Sequence, residues 1–267
     1  MKKSSAIVFS GNLRTYDRCF LSLKKNILDP LKKHNYTITV FLNCWPNVDS
    51  GDLGKDGDKI SEMADETKLQ KLYGPHVDKV VVNITETKVF TQPKRIKPHK
   101  PLSQKSNGNV LYNALKSHWY GVYLAGTFLI QDYDLVLRSR YDIMYSSPLD
   151  IESIEKQLSS DILFVGPQHQ MMNKDGQRTN VNNLFAVGSV DVMRKYCDFF
   201  THIEELWNET ETNVVPDQFS FLCTRNLQNI NSLFVYYLEH KCKFKIRHVN
   251  LKNTILRHDG TIVRLSP

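Results

Sequence analysis

The segment Asp132–Tyr145, with the sequence DYDLVLRSRYDIMY, constrains the fold more than any other part of the chain. Its apolar run Leu135–Leu137 predicts a buried strand. Arg138, Arg140 and Asp142 follow directly. Two guanidinium groups suit a diphosphate or a carboxylate, and an aspartate suits a metal or a sugar hydroxyl. The pattern therefore predicts a ligand site at a strand end, or else a surface salt-bridge cluster.

Other apolar runs alternate with helical patterns along the chain. This alternation predicts an α/β fold with a mixed, mostly parallel sheet flanked by helices. With no internal repeat and no convincing linker, we predict one domain over residues 1–267. The predicted strands are Ala6–Phe9, Tyr36–Trp45, Lys79–Ile84, Leu135–Asp142, Asp161–Val165 and Asn182–Gly188. The predicted helices include Ser61–Leu72, Val110–Leu129, Ile151–Leu158 and Val190–Phe200, and Leu256–Gly260 predicts a hairpin turn.

Two strand ends carry further candidate binding residues. Ser10 and Gly11 form the turn after the first strand, where backbone N–H groups and Arg14 are placed to meet a phosphate. A plain strand–helix connection with a surface arginine explains the same residues. Trp45 ends the second strand, where it either flanks a base or sugar or serves as a core or lid residue.

The chain is basic, with 35 Lys and Arg against 28 Asp and Glu and a formal charge of +7. This surplus favours anionic ligands such as nucleotide phosphates, acidic glycans, nucleic acid or a membrane surface. The five cysteines are scattered without zinc-site spacing, which indicates a reducing compartment. We find no signal peptide and no membrane-spanning run, so we expect a cytoplasmic protein, with peripheral membrane contact left open.

Three further features each have a plain and a functional interpretation. Thr85–Asn109 is basic and proline-rich, which fits a solvated loop or a flap that closes over an anionic substrate. His118 lies off the apolar stripe of its predicted helix, which favours a solvated side chain. Asp217 stands at a predicted helix start, where it serves as a cap or as a general base.

Taken together, these motifs resemble those of the nucleotide-diphospho-sugar glycosyltransferases of the GT-A fold. The resemblance is to a bacterial and viral branch with Arg-x-Arg-x-Asp in place of Asp-x-Asp, and it spans about residues 7–227. The matching segments are Ser10–Thr15 (Ser-Gly-x-x-Arg-Thr), Trp45, Tyr133–Asp142, Phe185–Ser189 with Met193, and Pro216-Asp217. One departure is Asn182-Asn183, because the family often carries an aspartate just before the Phe-Ala-x-Gly strand.

The resemblance implies transfer of a sugar from a UDP- or GDP-linked donor to a hydroxyl group of a glycan. Arg138 and Arg140 would then stabilise the charge of the leaving diphosphate. Asp142 would be the only carboxylate near the donor for Mn²⁺ or Mg²⁺, with weakened or absent metal dependence. The remaining predicted donor-site residues are Ser10, Gly11, Arg14 and Trp45.

For the acceptor, the resemblance implies an aspartate or glutamate that deprotonates the hydroxyl group. We predict Asp217 for this role, with Asp142 second, and we assign His169 and Asn183 to the acceptor side. Two alternatives stay open: a non-catalytic module that binds nucleic acid or acidic polysaccharide, and a degenerate transferase that only binds nucleotide. We expect no nucleic-acid partner, because the aromatic residues do not interleave with the basic run.

Overall fold

The computed structural model describes residues 2–47, 63–86, 88, 90, 108–166, 181, 183–211, 230–257 and 261–264. Its strands are β1 (Lys3–Gly11), β2 (Tyr36–Cys44), β3 (Lys79–Ile84), β4 (Leu135–Ser139), β5 (Ile143–Tyr145), β6 (Ile162–Val165), β7 (Ala186–Gly188), β8 (Lys245–His248), β9 (Asn253–Leu256) and β10 (Ile262–Arg264). Its α-helices are α1 (Tyr16–Leu23), α2 (Asp29–Lys33), α3 (Glu66–Tyr73), α4 (Gly108–Gly126), α5 (Ile151–Gln157), α6 (Val190–Glu211) and α7 (Ile230–Tyr236).

The main sheet has the strand order β3-β2-β1-β4-β7-β6-β8 within the described residues. Strands β1 to β4 are mutually parallel, and β6 is parallel to β8. Strand β7 runs antiparallel to both of its neighbours, β4 and β6. The predicted α/β fold with a mixed, mostly parallel sheet flanked by helices is therefore confirmed.

Both faces of the sheet are covered, so its central strands are apolar on both sides. Ala6 and Val8 of β1 pack into a cluster with α4, α6 and α7, whereas Ile7 and Phe9 pack into the opposite cluster with α1 and α3. Alternation of side chains along a strand produces this division. Each large apolar side chain buried in this way contributes about 1.5–3 kcal/mol relative to exposure.

A second, antiparallel sheet has the order β10-β9-β5. Its hairpin pairs Ile262 with Leu256, which confirms the turn predicted there, although residues 258–260 of that turn lie outside the described residues. Strand β5 was not predicted, because three residues directly after a charged turn carry too little pattern to indicate a strand. It pairs with β9 over Ile143–Tyr145.

The second sheet is tied to the helix that follows β1. A π-helical turn, Lys24–Leu28, links α1 to α2 and contains the buried Asn26. Its Nδ2 donates a hydrogen bond to the Tyr145 carbonyl (2.7 Å), and the Tyr145 N–H donates to Ser22 Oγ (3.1 Å). These polar contacts hold β5, and therefore the turn that precedes it, against the helix.

Three predicted helix ranges differ from the structure by two residues or more. Helix α4 covers Gly108–Gly126 where Val110–Leu129 was predicted. Helix α3 begins at Glu66, not Ser61, because the Asp65 side chain caps it by accepting a hydrogen bond from the Lys68 N–H. Helix α6 continues eleven residues beyond Phe200 to Glu211, because a further buried apolar stripe extends it. That stripe consists of Ile203, Leu206 and Trp207. In the part of the chain that is described, no helix combines the length and apolarity needed to cross a membrane.

Candidate functional site

The carboxyl ends of β1, β2 and β4 meet at one edge of the main sheet. In register, Ser10 lies opposite Asn43 of β2, and Val8 lies opposite Arg138 of β4. Side chains alternate along a strand, and Ala6 and Val8 of β1 lie on the face that α4 and α6 cover. Ser10 and Arg138 lie on the same face by this alternation. Arg138 Nη2 donates a hydrogen bond to Ser10 Oγ at 3.4 Å. Two of the predicted donor-site residues are thus in contact.

The turn after β1 has an unusual backbone. Gly11 has φ 108° and Arg14 has φ 49°, both in the left-handed region. For an arginine this conformation costs about 1–3 kcal/mol and requires support from its surroundings. That support includes Leu13, which is 1% exposed, and the Thr15 hydroxyl group, which donates to the Leu256 carbonyl at 2.9 Å. The turn therefore directs Arg14 toward the residues that follow β4.

Asp142 is held by two arginines. Arg140 binds it with two hydrogen bonds, Nε to Oδ1 at 2.9 Å and Nη2 to Oδ2 at 2.6 Å, and Arg14 Nη1 donates to Oδ2 at 3.1 Å. The Asp142 side chain is only 1% exposed. Burial alone would raise the pKa of this carboxyl group, but the charges and hydrogen bonds of Arg140 and then Arg14 outweigh burial and lower it. Asp142 is consequently an anion at neutral pH and a weak base.

Arg138 differs sharply from these two arginines. It is 0% exposed, its Nε and Nη1 atoms have no hydrogen-bond partner among the described residues, and none of the acidic residues described forms an ion pair with it. Burial lowers the pKa of its guanidinium group, Tyr196 acts in the opposite direction, and the positive charge of Arg140 lowers it further. A buried charge without a counterion costs several kcal/mol. A site that carries this cost is suited to an anionic ligand.

His118 lies on α4, which packs beside the turn after β1. Its Nε2 atom is buried and has no hydrogen-bond partner in the part of the chain that is described. Burial, followed by the charges of Arg138, Arg140 and Arg14, holds the pKa of its imidazole well below the ordinary value of 6.5. The prediction of a solvated side chain is therefore wrong for this nitrogen. Helical periodicity placed His118 off the apolar stripe, but it gave no sign of the charged strand ends beneath the helix.

Trp45 packs against α4 at this edge and is 5% exposed. A Cβ atom on Gly121 would lie 3.0 Å from the Trp45 ring, so the helix approaches the indole closely only because residue 121 is glycine. This packing matches the core interpretation of Trp45. Contact with a donor base stays a prediction.

A buried amide network beside Trp45 was not anticipated from the sequence. Asn43 is 0% exposed; its Nδ2 donates to the Gly121 carbonyl (3.2 Å), and its Oδ1 accepts from Asn83 Nδ2 (2.7 Å) and Thr85 Oγ1 (3.1 Å). These bonds join the ends of β2 and β3 to α4. An asparagine at the end of an otherwise apolar strand was the available sequence signal.

On the predicted acceptor side, only Asn183 is described. It is half-buried and lies three residues before β7. Because β7 is antiparallel to β4 and Ala186 pairs with Arg138, the residues that precede β7 lie near the turn that follows β4. His169 and Asp217 lie outside the described residues, as does Asn182. Their roles stay predictions.

The described residues suit an anion better than a divalent cation. Mn²⁺ and Mg²⁺ require several oxygen ligands, but both Asp142 oxygens already accept hydrogen bonds from arginines. No group of three or more His, Cys, Asp or Glu residues that could hold a metal occurs in the described part of the chain. Three guanidinium groups beside that single carboxylate would also repel a cation.

The charges at this edge do not cancel. Among the described residues, Arg14, Arg138 and Arg140 supply three positive charges and Asp142 supplies one negative charge, which leaves a surplus of two. His118 is neutral at pH 7, since its pKa is lowered well below 6.5.

A comparison of the sequence with models of known protein families found no match, and a search of curated proteins found no significant similarity.

Proposed function

We propose that this chain is a glycosyltransferase that moves a sugar from a nucleoside-diphosphate sugar to a hydroxyl group of a glycan. The observation that carries the proposal is the buried Arg138 guanidinium at the carboxyl edge of the sheet, which has no counterion among the described residues. Ligands of open α/β sheets bind at this edge. The surplus of two positive charges among the described residues matches in size the two negative charges of the diphosphate in such a donor. The resemblance to GT-A transferases supports the same activity.

The chemistry of the transfer explains why arginines are useful here. When the bond between the sugar carbon and the diphosphate oxygen breaks, its electron pair stays on the oxygen, and the leaving diphosphate becomes more negative. Arg138 offers the N–H groups of its buried Nε and Nη1 atoms to that charge. Asp142 holds the guanidinium groups of Arg14 and Arg140 in position at the same edge of the sheet. These guanidinium groups would stabilise the negative charge that other transferases stabilise with a metal.

The acceptor hydroxyl group needs a separate base. Asp142 is poorly suited, because its two arginine partners lower its pKa and occupy both of its oxygens. Asp217 is therefore the base that we propose. The variant Asp217→Asn should reduce turnover of nucleotide sugar by at least 100-fold while UDP or GDP affinity changes little. Turnover within a few-fold of wild type would contradict this assignment.

The first experiment is a thermal-shift screen with UDP, GDP and single-stranded oligonucleotides in the presence of EDTA. We expect one nucleotide to raise the melting temperature, because ligands that bind only the folded state stabilise it, and we expect no effect from oligonucleotides. Stabilisation by oligonucleotides alone would instead support a nucleic-acid-binding module. Repeating the turnover assay with EDTA and with Mn²⁺ tests the arginine-based mechanism. Complete loss with EDTA and rescue by Mn²⁺ would overturn it.

A second candidate is a protein that binds the nucleotide sugar without transferring the sugar. The observation that favours it is the pair Asn182-Asn183, which stands where the resembled family often carries an aspartate just before this strand. Product analysis after incubation with UDP- and GDP-sugars separates the two candidates. Nucleotide binding without released nucleoside diphosphate or transferred sugar would favour the binding protein.

A further inference from the structure

Helix α4 brings His118 to the turn that follows β1. A Cβ atom built on Gly121 would lie 3.9 Å from the Gly11 backbone nitrogen, so this part of α4 lies directly beside the turn. His118 precedes Gly121 by three residues, and residues at that spacing share a helix face. The imidazole therefore reaches the site from a different element than the arginines do.

The positive charges that act on the His118 imidazole come from two strand ends. They are Arg138 and Arg140 at the end of β4 and Arg14 after β1, and Arg138 has the largest effect of the three. None of them accepts a hydrogen bond, because guanidinium groups only donate. Arg138 Nη2 contacts Ser10 Oγ and Gly121 lies beside Gly11, so Arg138 and this part of α4 border the same turn. Among the described residues, His118 Nε2 and the Arg138 Nε and Nη1 atoms are buried without a hydrogen-bond partner. Buried polar atoms in native proteins are nearly always paired, so three such atoms around one turn require an explanation.

We propose that His118 is a further ligand-contacting residue of this site, which donates its Nε2–H to a phosphoryl oxygen of the diphosphate that Arg138 also binds. The inference rests on the proposed function and adds a donor from α4 to those of β4. A neutral imidazole contributes a directed hydrogen bond without adding a fourth positive charge. It also explains why Nε2 has no partner among the described residues.

The test uses inorganic pyrophosphate, which does not depend on the identity of the base or sugar, in isothermal titration calorimetry with EDTA present. His118→Phe removes the donor and keeps a ring, and we expect at least tenfold weaker binding. His118→Gln places an amide N–H near the position of Nε2, and we expect affinity within threefold of wild type. His34→Phe is the matched control, because His34 precedes β2 at the opposite edge of the sheet, and it should have no effect.

Equal binding by wild type and His118→Phe would overturn the inference. Equally weak binding by His118→Gln and His118→Phe would also overturn it, because the loss would then come from ring packing. NMR of ¹⁵N-histidine-labelled protein gives a readout that needs no variant: in the complex His118 Nε2 should carry the proton. An Nδ1–H tautomer there would exclude donation from Nε2.

The failure of this inference is distinguishable from failure of the proposed function. If Arg138→Met abolishes pyrophosphate binding and His118→Phe does not change it, only the role of His118 is wrong. If the wild-type protein binds neither pyrophosphate nor UDP nor GDP, the proposed function fails and the inference fails with it.

Discussion

Arg138 and Arg140 stand two residues apart at the same sheet edge, yet their surroundings are opposite. Arg140 shares Asp142 with Arg14, and its side chain is 23% exposed. Arg138 is completely buried, and its one hydrogen bond to a described residue is a long one to Ser10. The paired arginines are held in place by an internal counterion, whereas no described residue supplies one for Arg138. The comparison predicts that the pair serves stability and that Arg138 serves binding.

The largest expected effect is on the paired side of this comparison. Asp142→Asn keeps the shape of the side chain but leaves two largely buried guanidinium groups without their anion. We expect the free energy of unfolding to fall by about 3–5 kcal/mol, measured by urea denaturation at pH 7. Asp29→Asn is the control: it breaks the exposed Lys24–Asp29 pair and should cost less than about 1 kcal/mol. Similar small losses in both variants would remove the distinction between the two arginine environments.

The opposite pattern is expected on the unpaired side. Arg138→Met replaces a buried cation by an apolar side chain of similar length, which should raise the free energy of unfolding by about 1–4 kcal/mol. Pyrophosphate affinity should fall about 100- to 1000-fold, as for the loss of one preorganised donor. Calorimetry and urea denaturation measure the two quantities on the same sample.

Arg247→Met on β8 is the control for that variant, because Arg247 is an exposed arginine of the same sheet. It should leave both binding and stability near wild type. If Arg138→Met instead destabilises the protein and leaves affinity unchanged, Arg138 is a structural residue and the comparison fails.

The dependence of stability on pH isolates the carboxylate of the paired group. Asp142 has a folded-state pKa below its ordinary value of 3.8. Its contribution to stability is therefore fully present above pH 3.8 and is lost as the pH falls through the folded-state pKa. The difference in unfolding free energy between wild type and Asp142→Asn should be constant from pH 7 to about pH 5 and should shrink below 3.8. A difference that stays constant to pH 2 would show that ionisation of Asp142 is not the cause.

The smallest expected effect concerns Arg14, whose strained backbone supports its contact with Asp142. Arg14→Ala and Arg14→Gly both remove the ion pair, but only glycine adopts a φ of 49° without strain. We expect the glycine variant to be more stable than the alanine variant by about 1 kcal/mol, the reverse of the usual order within a helix. Equal stability would indicate that the turn relaxes when the arginine is removed.

Secondary structure was predictable where the local pattern was strong. The bounds of β3 agree with the prediction at both ends, and β2 and α5 differ by one residue at their carboxyl ends. Strand β5 escaped prediction because it depends on pairing with β9, more than one hundred residues later in the chain. Helix α6 was predicted too short because its second half is stabilised by packing in the core.

The sequence by itself determined the α/β class and the placement of charge after a buried strand. Both follow from the order of apolar and polar residues, which acts locally. Only the tertiary structure decided which arginine has a counterion. Arg14 and Asp142 are 128 positions apart, and they meet because β1 pairs with β4. The same pairing leaves Arg138 with no described acid to neutralise it, and it brings Arg138 and helix α4, which carries His118, to the same turn after β1. No local pattern encodes that arrangement.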